Sequence, residues 1–142
     1  MKLPIKRLDA ELPLPQYQTN GSVAMDLSVR EGKTVAPRSV EVFPLNVALK
    51  PPTGHFVLMA ARSSLWKRGL MLANNIGIID EDYCGDGDEY QAALYNFTDE
   101  PVEVKKGERV TQMVVLPYDK ITWNEVESLG NSDRGAYGST GL

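Results

Sequence analysis

Residues 90–116 read YQAALYNFTDEPVEVKKGERVTQMVVL, and this stretch decides the fold class. It contains three short apolar runs, Tyr90–Tyr95, Val102–Val104 and Val110–Leu116, separated by segments rich in proline, glycine and charged residues. Short apolar runs between turn signals are typical of β-strands. The whole chain is punctuated in this way, with nine prolines and twelve glycines in 142 residues. We therefore predict an all-β domain of the β-sandwich, jelly-roll or barrel type.

The first half of the chain adds two strand candidates and almost no helix. Val40–Leu49 alternates in part between apolar and polar residues and ends before two prolines. His55–Ala60 is a continuous apolar run, which predicts a strand buried on both faces. Ser64–Arg68 is the best candidate for a short helix. Because no linker or repeat interrupts the chain, we expect one domain with its own core.

The charge and cysteine content limit the classes of function. The net charge is −4 and the isoelectric point is about 5.0. A nucleic-acid surface needs a concentrated basic face, so no nucleic-acid partner is expected. Cys84 is the only cysteine, which excludes an internal disulfide and predicts a reducing, cytoplasmic location for a soluble protein. No apolar run approaches the roughly 18 residues of a membrane span, and the N-terminal residues lack a signal-peptide pattern, so no membrane association is expected.

An acidic segment at residues 80–89 directly follows two isoleucines, Ile78 and Ile79. It carries six carboxylates in ten positions, beginning with Asp80, which follows the apolar residues directly. A carboxylate held at the end of a buried strand can activate water or help to hold a cation. A calcium-loop register fails, because Cys84 stands where an oxygen ligand is needed, Gln91 stands where a bidentate glutamate is needed, and no helix is predicted on either side. We expect Asp86, Asp88 and Glu89 to lie in a solvated turn.

Three further segments carry candidate binding residues. Arg62, Ser63 and Ser64 follow an apolar strand and could bind a phosphate group, although Ser64 could equally cap a short helix. Arg109 lies inside an apolar pattern and needs a carboxylate partner, and Asp26 raises the same question. Residues 130–141 are rich in glycine, which predicts either a frayed tail or a mobile arm that wraps an anion.

Common nucleophilic and phosphate-loop motifs are absent from the sequence. His55 is the sole histidine and has no Gly-x-Ser-x-Gly elbow to serve, so a Ser–His–Asp triad is not expected. Cys84 lies among carboxylates, which disfavour a thiolate, so it is not expected to act as a nucleophile. No Walker-type phosphate loop is present.

The order of these segments closely resembles the five ordered motifs of the trimeric dUTP diphosphatases (dUTPases). The matching segments are Ala24–Leu27, Arg62–Ser64, Asn74–Gly85, Gly107–Gln112 and Arg134–Gly141. The resemblance implies a jelly-roll-like (β-clip) subunit over residues 1–128 and a flexible glycine-rich arm over residues 129–142. It also implies a homotrimer with shared active sites. Such enzymes use Mg²⁺ to hydrolyse dUTP to dUMP and pyrophosphate, which limits uracil in DNA and supplies dUMP for thymidylate synthesis.

The resemblance also implies a role for each matching residue. Asp80 matches the aspartate that activates water for attack on the α-phosphorus, and Tyr83 matches the ring that packs against deoxyribose. Asp26 matches an acid that reaches the metal through water and sets the neighbouring arginines. The matching residues of the uracil pocket are Asn74, Gly77 and Ile79. The matching residues that contact phosphate are Arg62, Ser63, Ser64 and Gln112. The matching residues of the closing arm are Arg134, Tyr137, Gly138 and Ser139.

The chain departs from the family pattern at three places. The last motif is shorter between Arg134 and Tyr137, and Tyr137 replaces the usual phenylalanine. Asp86–Tyr90 looks like a short insertion after the acidic hairpin. Met25 stands where glycine is common in the first motif. These differences put the reach of the arm and the packing beside Asp26 in question.

Two alternative functions are compatible with the same fold. A dCTP deaminase would place a glutamate three residues before Asn96, where this chain has Ala93, so its proton shuttle is missing. A nucleotide-sensing regulatory protein would have no need of Asp80, which is present. Both alternatives rank behind dUTP hydrolysis.

Overall fold

The computed structural model describes residues 1–136, and its regular structure consists of short antiparallel strands and one 3₁₀ turn. The strands are β1 (Ile5–Arg7), β2 (Met25–Ser28), β3 (Lys33–Val35), β4 (Val40–Pro44), β5 (Val47–Leu49), β6 (His55–Ala61), β7 (Leu70–Leu72), β8 (Ile76–Ile79), β9 (Gln91–Asn96), β10 (Val102–Val104) and β11 (Arg109–Pro117). The 3₁₀ helix spans Leu65–Arg68. The predicted all-β class is confirmed.

Two larger sheets enclose the core. One sheet has the strand order β2-β11-β6-β8, and the other has the order β4-β9-β7. Two-stranded ladders, β1-β5 and β3-β10, complete the described part of the fold. Fully buried residues from both larger sheets meet in a single apolar cluster, which includes Leu27, Val57, Phe43, Leu72 and Leu94. This two-layer packing buries one face of each sheet.

The register of the four-stranded sheet determines which side chains share a face. Asp26 lies opposite Gln112, which lies opposite Ala60, which lies opposite Ile76. Residues directly opposite each other in an antiparallel sheet point to the same side. This row therefore lies on the face away from the core.

We call that face the outer face, and its far end is apolar. Its apolar residues are Phe56, Leu58, Ile76, Ile78, Val114 and Leu116. Ile76, Ile78 and Leu116 are 45%, 65% and 38% exposed. In β6 only Val57 and Met59 are buried, so the predicted burial of this strand on both faces is wrong for the single chain.

Several other boundaries differ from the sequence prediction. The predicted run Val40–Leu49 is broken where Asn46 adopts a left-handed conformation with φ of 66°. The short helix begins after Ser64, as predicted, and ends at Gly69, whose φ is 77°. The strands β1, β2, β3 and β7 were not predicted, and each has only three or four residues.

The chain after β11 carries no further strand within the described residues. From Asp119 to Ala136 every residue is exposed. The predicted boundary of the arm at residue 129 falls inside this exposed segment, so the division into 1–128 and 129–142 stays a prediction. Within residues 1–136, no helix is long and apolar enough to cross a membrane.

Candidate active site

A cavity of about 320 Å³ lies beside β8 and the turn that follows it. We call it the β8 cavity. Five residues predicted to form the nucleotide site line it, namely Asn74, Gly77, Ile79, Asp80 and Tyr83. Its other lining residues are Met59, Ile78, Tyr90 and Gln91. The structure thus brings together the predicted water-activating acid and the residues predicted to read the nucleoside.

Local backbone geometry shapes this cavity. Asn75 has a φ of 63°, and its N–H donates to the carbonyl of Leu72 at 3.2 Å, which makes a tight turn between β7 and β8. Gly77 then passes close to Met59 on the neighbouring strand. A Cβ atom on Gly77 would lie 3.1 Å from Met59 Cε and 3.4 Å from Met59 Cβ. Glycine therefore allows β8 to pack directly against the wall of the cavity.

Asp80 is exposed, and the strand before it is not buried. The apolar residues that predicted a buried strand include Ile78, which points to the outer face. The prediction of a buried strand before Asp80 is therefore wrong. The physical reason is that β8 lies at the edge of its sheet, with only Gly77 fully buried.

The turn after Asp80 is instead held by its neighbour Glu81. One carboxylate oxygen, Oε2, accepts hydrogen bonds from the Gly54 N–H and the Tyr118 hydroxyl, both at 2.8 Å. These two bonds hold the pKa of Glu81 below its ordinary value, and the bond from the Gly54 N–H has the larger effect. Tyr118 also packs edge-on against Phe56, with ring centroids 6.2 Å apart. The turn that carries Asp80 is thereby tied to both strands of the β6–β11 pair, at the end where His55 lies opposite Pro117.

A group of charged side chains, separate from the β8 cavity, comes from β2, from β11 and from the residue that follows β6. Asp26 Oδ2 is 3.0 Å from Arg62 Nε and 3.1 Å from Arg109 Nη1. We call these three residues the arginine cluster. The Asp26 side chain is only 13% exposed. The ion pair expected for Arg109, and the role expected for Asp26 beside the arginines, both agree with this geometry.

The other residues predicted to contact phosphate surround the arginine cluster. Gln112 lies opposite Asp26 in the sheet and donates from Nε2 to the Ala61 carbonyl at 3.0 Å. Ser63 and Ser64 are exposed in the turn after β6. The Ser64 side chain makes no capping hydrogen bond to the 3₁₀ helix. Its hydroxyl is therefore available to an anion, as is part of the charge of the two arginines.

The β8 cavity, with Asp80, and the arginine cluster lie toward opposite ends of β6. Asp80 follows Ile79, which pairs with Val57, whereas Arg62 follows Ala61 at the far end of the strand. Five residue steps separate Val57 from Arg62, which corresponds to about 16 Å at 3.3 Å per residue. A single chain therefore does not bring Asp80 next to Arg62.

The donor set suits a magnesium ion that arrives with a substrate. Within residues 1–136, no three His, Cys, Asp or Glu side chains form a group that could hold a metal. Mg²⁺ keeps several waters and prefers one or two carboxylates together with phosphate oxygens. Asp26, as a single carboxylate beside two arginines, fits contact through water.

The acidic turn contains one clear departure from prediction. Glu89 was expected to be solvated, yet it is buried, with its carboxylate paired to Arg30 at 2.8 Å and 2.9 Å. That prediction is wrong, because the partner lies far away in sequence and no local pattern announces it. Asp88 caps the Gly85 N–H at 2.7 Å, and Asp86 is exposed.

Sequence reasoning missed part of the cavity wall. Met59, Tyr90 and Gln91 line the β8 cavity but were not predicted to belong to the nucleotide site. Nothing in a single sequence distinguishes them from other strand residues. Arg134 is exposed near the end of the described chain, and Tyr137, Gly138 and Ser139 lie outside the described residues.

Comparisons with known proteins identify the family and the fold of the chain. A family model described as dUTPase matches residues 10–141. A deoxyuridine 5′-triphosphate nucleotidohydrolase of Dictyoglomus turgidum is 40% identical, over 97% of this chain and 97% of that protein. A mutant dUTPase of Staphylococcus bacteriophage 80alpha, solved with dUpNHpp, superposes with a TM-score of 0.85 at 20% identity, over 99% of both chains. A mutant dUTPase of phage phi11 of S. aureus, whose structure concerns a structural Mg(II) ion, superposes with a TM-score of 0.80 at 18% identity, over 91% of this chain and 99% of that one.

Proposed function

This chain belongs to the dUTPase family and is a dUTP diphosphatase, and we propose that Asp80 activates the water that attacks the α-phosphorus of dUTP. The observation that carries the proposal is the β8 cavity, in which Asp80 lies beside Asn74, Gly77, Ile79 and Tyr83. A base must lie within hydrogen-bond reach of the proton that it accepts, so the position of Asp80 in the lining of this cavity supports the proposal.

In the proposed reaction, the Asp80 carboxylate accepts a proton from water as the water oxygen bonds to the α-phosphorus. The bond between the α-phosphorus and the bridging oxygen breaks, and the products are dUMP and pyrophosphate. No covalent intermediate with the protein is needed, because positioning and charge stabilisation are the main requirements of phosphoryl transfer.

The β8 cavity would select the nucleoside. Backbone groups at Gly77 and Ile79, with Asn74, would read the edge of uracil. The ring of Tyr83, which is 41% exposed, would pack against deoxyribose and leave no room for a 2′-hydroxyl. The backbone of Gly77 lies so close to Met59 that a Cβ atom at residue 77 would crowd the Met59 side chain in the wall of the cavity.

The triphosphate would bind at the arginine cluster and the residues beside it. Arg62, Ser63, Ser64 and Gln112 supply donors that suit phosphate oxygens, and Asp26 fixes the direction of the arginines. Asp26 would also hold Mg²⁺ through water. When bound, Mg²⁺ neutralises charge on the phosphate oxygens.

We further propose a homotrimer with shared active sites. The distance along β6 between Asp80 and Arg62 supports an arrangement in which a second copy of the chain supplies one half of each site. The exposed isoleucines of the outer face favour association between copies. Arg134, Tyr137, Gly138 and Ser139 would then close the site from a third copy. A cytoplasmic location, which the single cysteine favours, completes the proposal.

A substrate panel tests the function. Pyrophosphate release is measured from dUTP, dTTP, dCTP and UTP with Mg²⁺ present, and ammonia release is measured from dCTP. We expect pyrophosphate from dUTP and little turnover of the others. Ammonia from dCTP would instead support a deaminase, and tight dUTP binding without turnover would support a nucleotide sensor.

A further inference from the structure

The buried carboxylate of Glu89 is held at three points. Its Oε1 atom accepts from Arg30 Nε and from the backbone N–H of Asn46, both at 2.8 Å. Its Oε2 atom accepts a hydrogen bond from Arg30 Nη2 at 2.9 Å. The two contacts from Arg30 form a bidentate fork, which fixes direction as well as distance. The side chain of Glu89 therefore has one available position.

The backbone on either side of Glu89 is fixed by the same region of the fold. The N–H of Tyr90 donates to the Val47 carbonyl, and the Tyr90 carbonyl accepts from the Leu45 N–H, both at 2.8 Å. Asn46 lies between these two partners and binds the Glu89 carboxylate. Residues 89 and 90 are thus attached to the bend between β4 and β5.

Tyr83 rests on these two residues. Its hydroxyl donates to the Glu89 carbonyl at 3.3 Å. Its ring stacks on the buried ring of Tyr90, with centroids 6.3 Å apart and an angle of 26° between planes. Both rings line the β8 cavity. The position of Tyr83 therefore depends on the position of residues 89 and 90.

We propose that the Arg30–Glu89 ion pair is a positioning device that fixes Tyr83 for discrimination between deoxyribose and ribose. This inference rests on the proposed function of the β8 cavity. Neither Arg30 nor Glu89 lines the cavity, so each acts through Tyr83 and Tyr90. If the pair were lost, the Tyr83 ring would have more freedom to move, and a 2′-hydroxyl would be excluded less strictly.

The variant Glu89→Gln separates this role from a purely structural one. Glutamine keeps an oxygen for the Asn46 N–H, and Arg30 keeps its ion pair with Glu31 at 2.6 Å, so no cation is left stranded. The measurement is kcat/KM for dUTP divided by kcat/KM for UTP. We expect this ratio to fall by about tenfold, the size of effect that a specificity contact of moderate strength provides. The kcat for dUTP should change little, because Asp80 is untouched.

A matched control is Arg38→Gln, which breaks the exposed pair with Asp99 away from the cavity and should leave the ratio unchanged. Loss of stability alone would lower both kcat/KM values together and leave their ratio intact. If Glu89→Gln does not fold, Arg30→Lys keeps the charge without the fork and should give a smaller fall in the ratio. A folded variant with an unchanged ratio would overturn the inference, whereas a wild-type protein that fails to hydrolyse dUTP would overturn the proposed function itself.

Discussion

Asp26 Oδ2 lies 3.0 Å from Arg62 Nε, and this contact fixes the direction of an arginine that directly follows the inner strand β6. The same oxygen lies 3.1 Å from Arg109 Nη1. One carboxylate therefore orders two guanidinium groups before any substrate arrives. Donors that are already in place need less reorganisation when they bind charge.

The first prediction concerns this ordering. Asp26→Asn should raise KM for dUTP about tenfold, because the arginines lose their shared partner. It should also lower the free energy of unfolding by about 1–2 kcal/mol, less than for a fully buried pair because both arginines are partly exposed. Steady-state kinetics and urea denaturation measure the two effects. An unchanged KM would show that Asp26 does not order the phosphate site.

The second prediction concerns the proposed base. Asp80→Asn should lower kcat by about 10²–10⁴-fold, because a general base typically contributes that much. Binding of a non-hydrolysable dUTP analogue, measured by calorimetry, should stay within a few-fold of wild type. The control is Asp99→Asn, which changes an exposed acid that belongs to neither the β8 cavity nor the arginine cluster. Unchanged hydrolysis in Asp80→Asn would contradict the assignment of Asp80.

The third prediction concerns acid stability. The pKa of Glu81 is lowered in the folded protein, chiefly by the Gly54 N–H and then by Tyr118. A lowered carboxyl pKa contributes stability above the unfolded value, near 4.5, and that contribution disappears as the pH falls through the folded value. Glu81→Gln should therefore lower Tm at neutral pH and flatten the loss of Tm below about pH 4.5.

Thermal melts between pH 7 and pH 3 measure this effect. Glu125→Gln, at an exposed position after β11, serves as the control and should keep the wild-type profile. Parallel profiles for wild type and Glu81→Gln would mean that the two hydrogen bonds to Glu81 add no pH-dependent stability.

The fourth prediction uses the separation of Asp80, in the β8 cavity, from the arginine cluster. Asp80→Asn and Arg62→Gln should each be nearly inactive alone. After the two proteins are unfolded together and refolded as a mixture, activity should reappear, because some sites combine an intact Asp80 from one copy with an intact Arg62 from another. Refolding each variant separately is the control. If the mixture is no more active than its parts, the sites are not shared between copies.

Local sequence patterns predicted the elements that are long enough to show them. His55–Ala61, Gln91–Asn96 and Arg109–Pro117 all follow predicted runs, with boundaries shifted by a residue or two. The ordered motifs also led to the residues of the β8 cavity. These signals are local or depend on order along the chain, so one sequence contains them.

Contacts between distant residues were beyond such reasoning. Arg30 meets Glu89 because the Arg30 N–H donates to the Pro44 carbonyl at 2.7 Å, at the end of β4, and the bend that follows, between β4 and β5, also holds Glu89. The exposure of Ile78 follows from the edge position of β8, which depends on the strand order of the whole sheet. The separation of Asp80 from Arg62 likewise requires the register of β6 with both of its neighbours.

The length of β6 makes the proposed chemistry sensitive to dilution. A single copy has the proposed base near one end of this strand and the residues proposed to bind phosphate at the other end. Local motion within one copy therefore does not complete a site. If copies separate as their concentration falls, the rate per molecule should fall as well, while each chain stays folded. The activity of the protein would then rise more steeply than in proportion to its concentration.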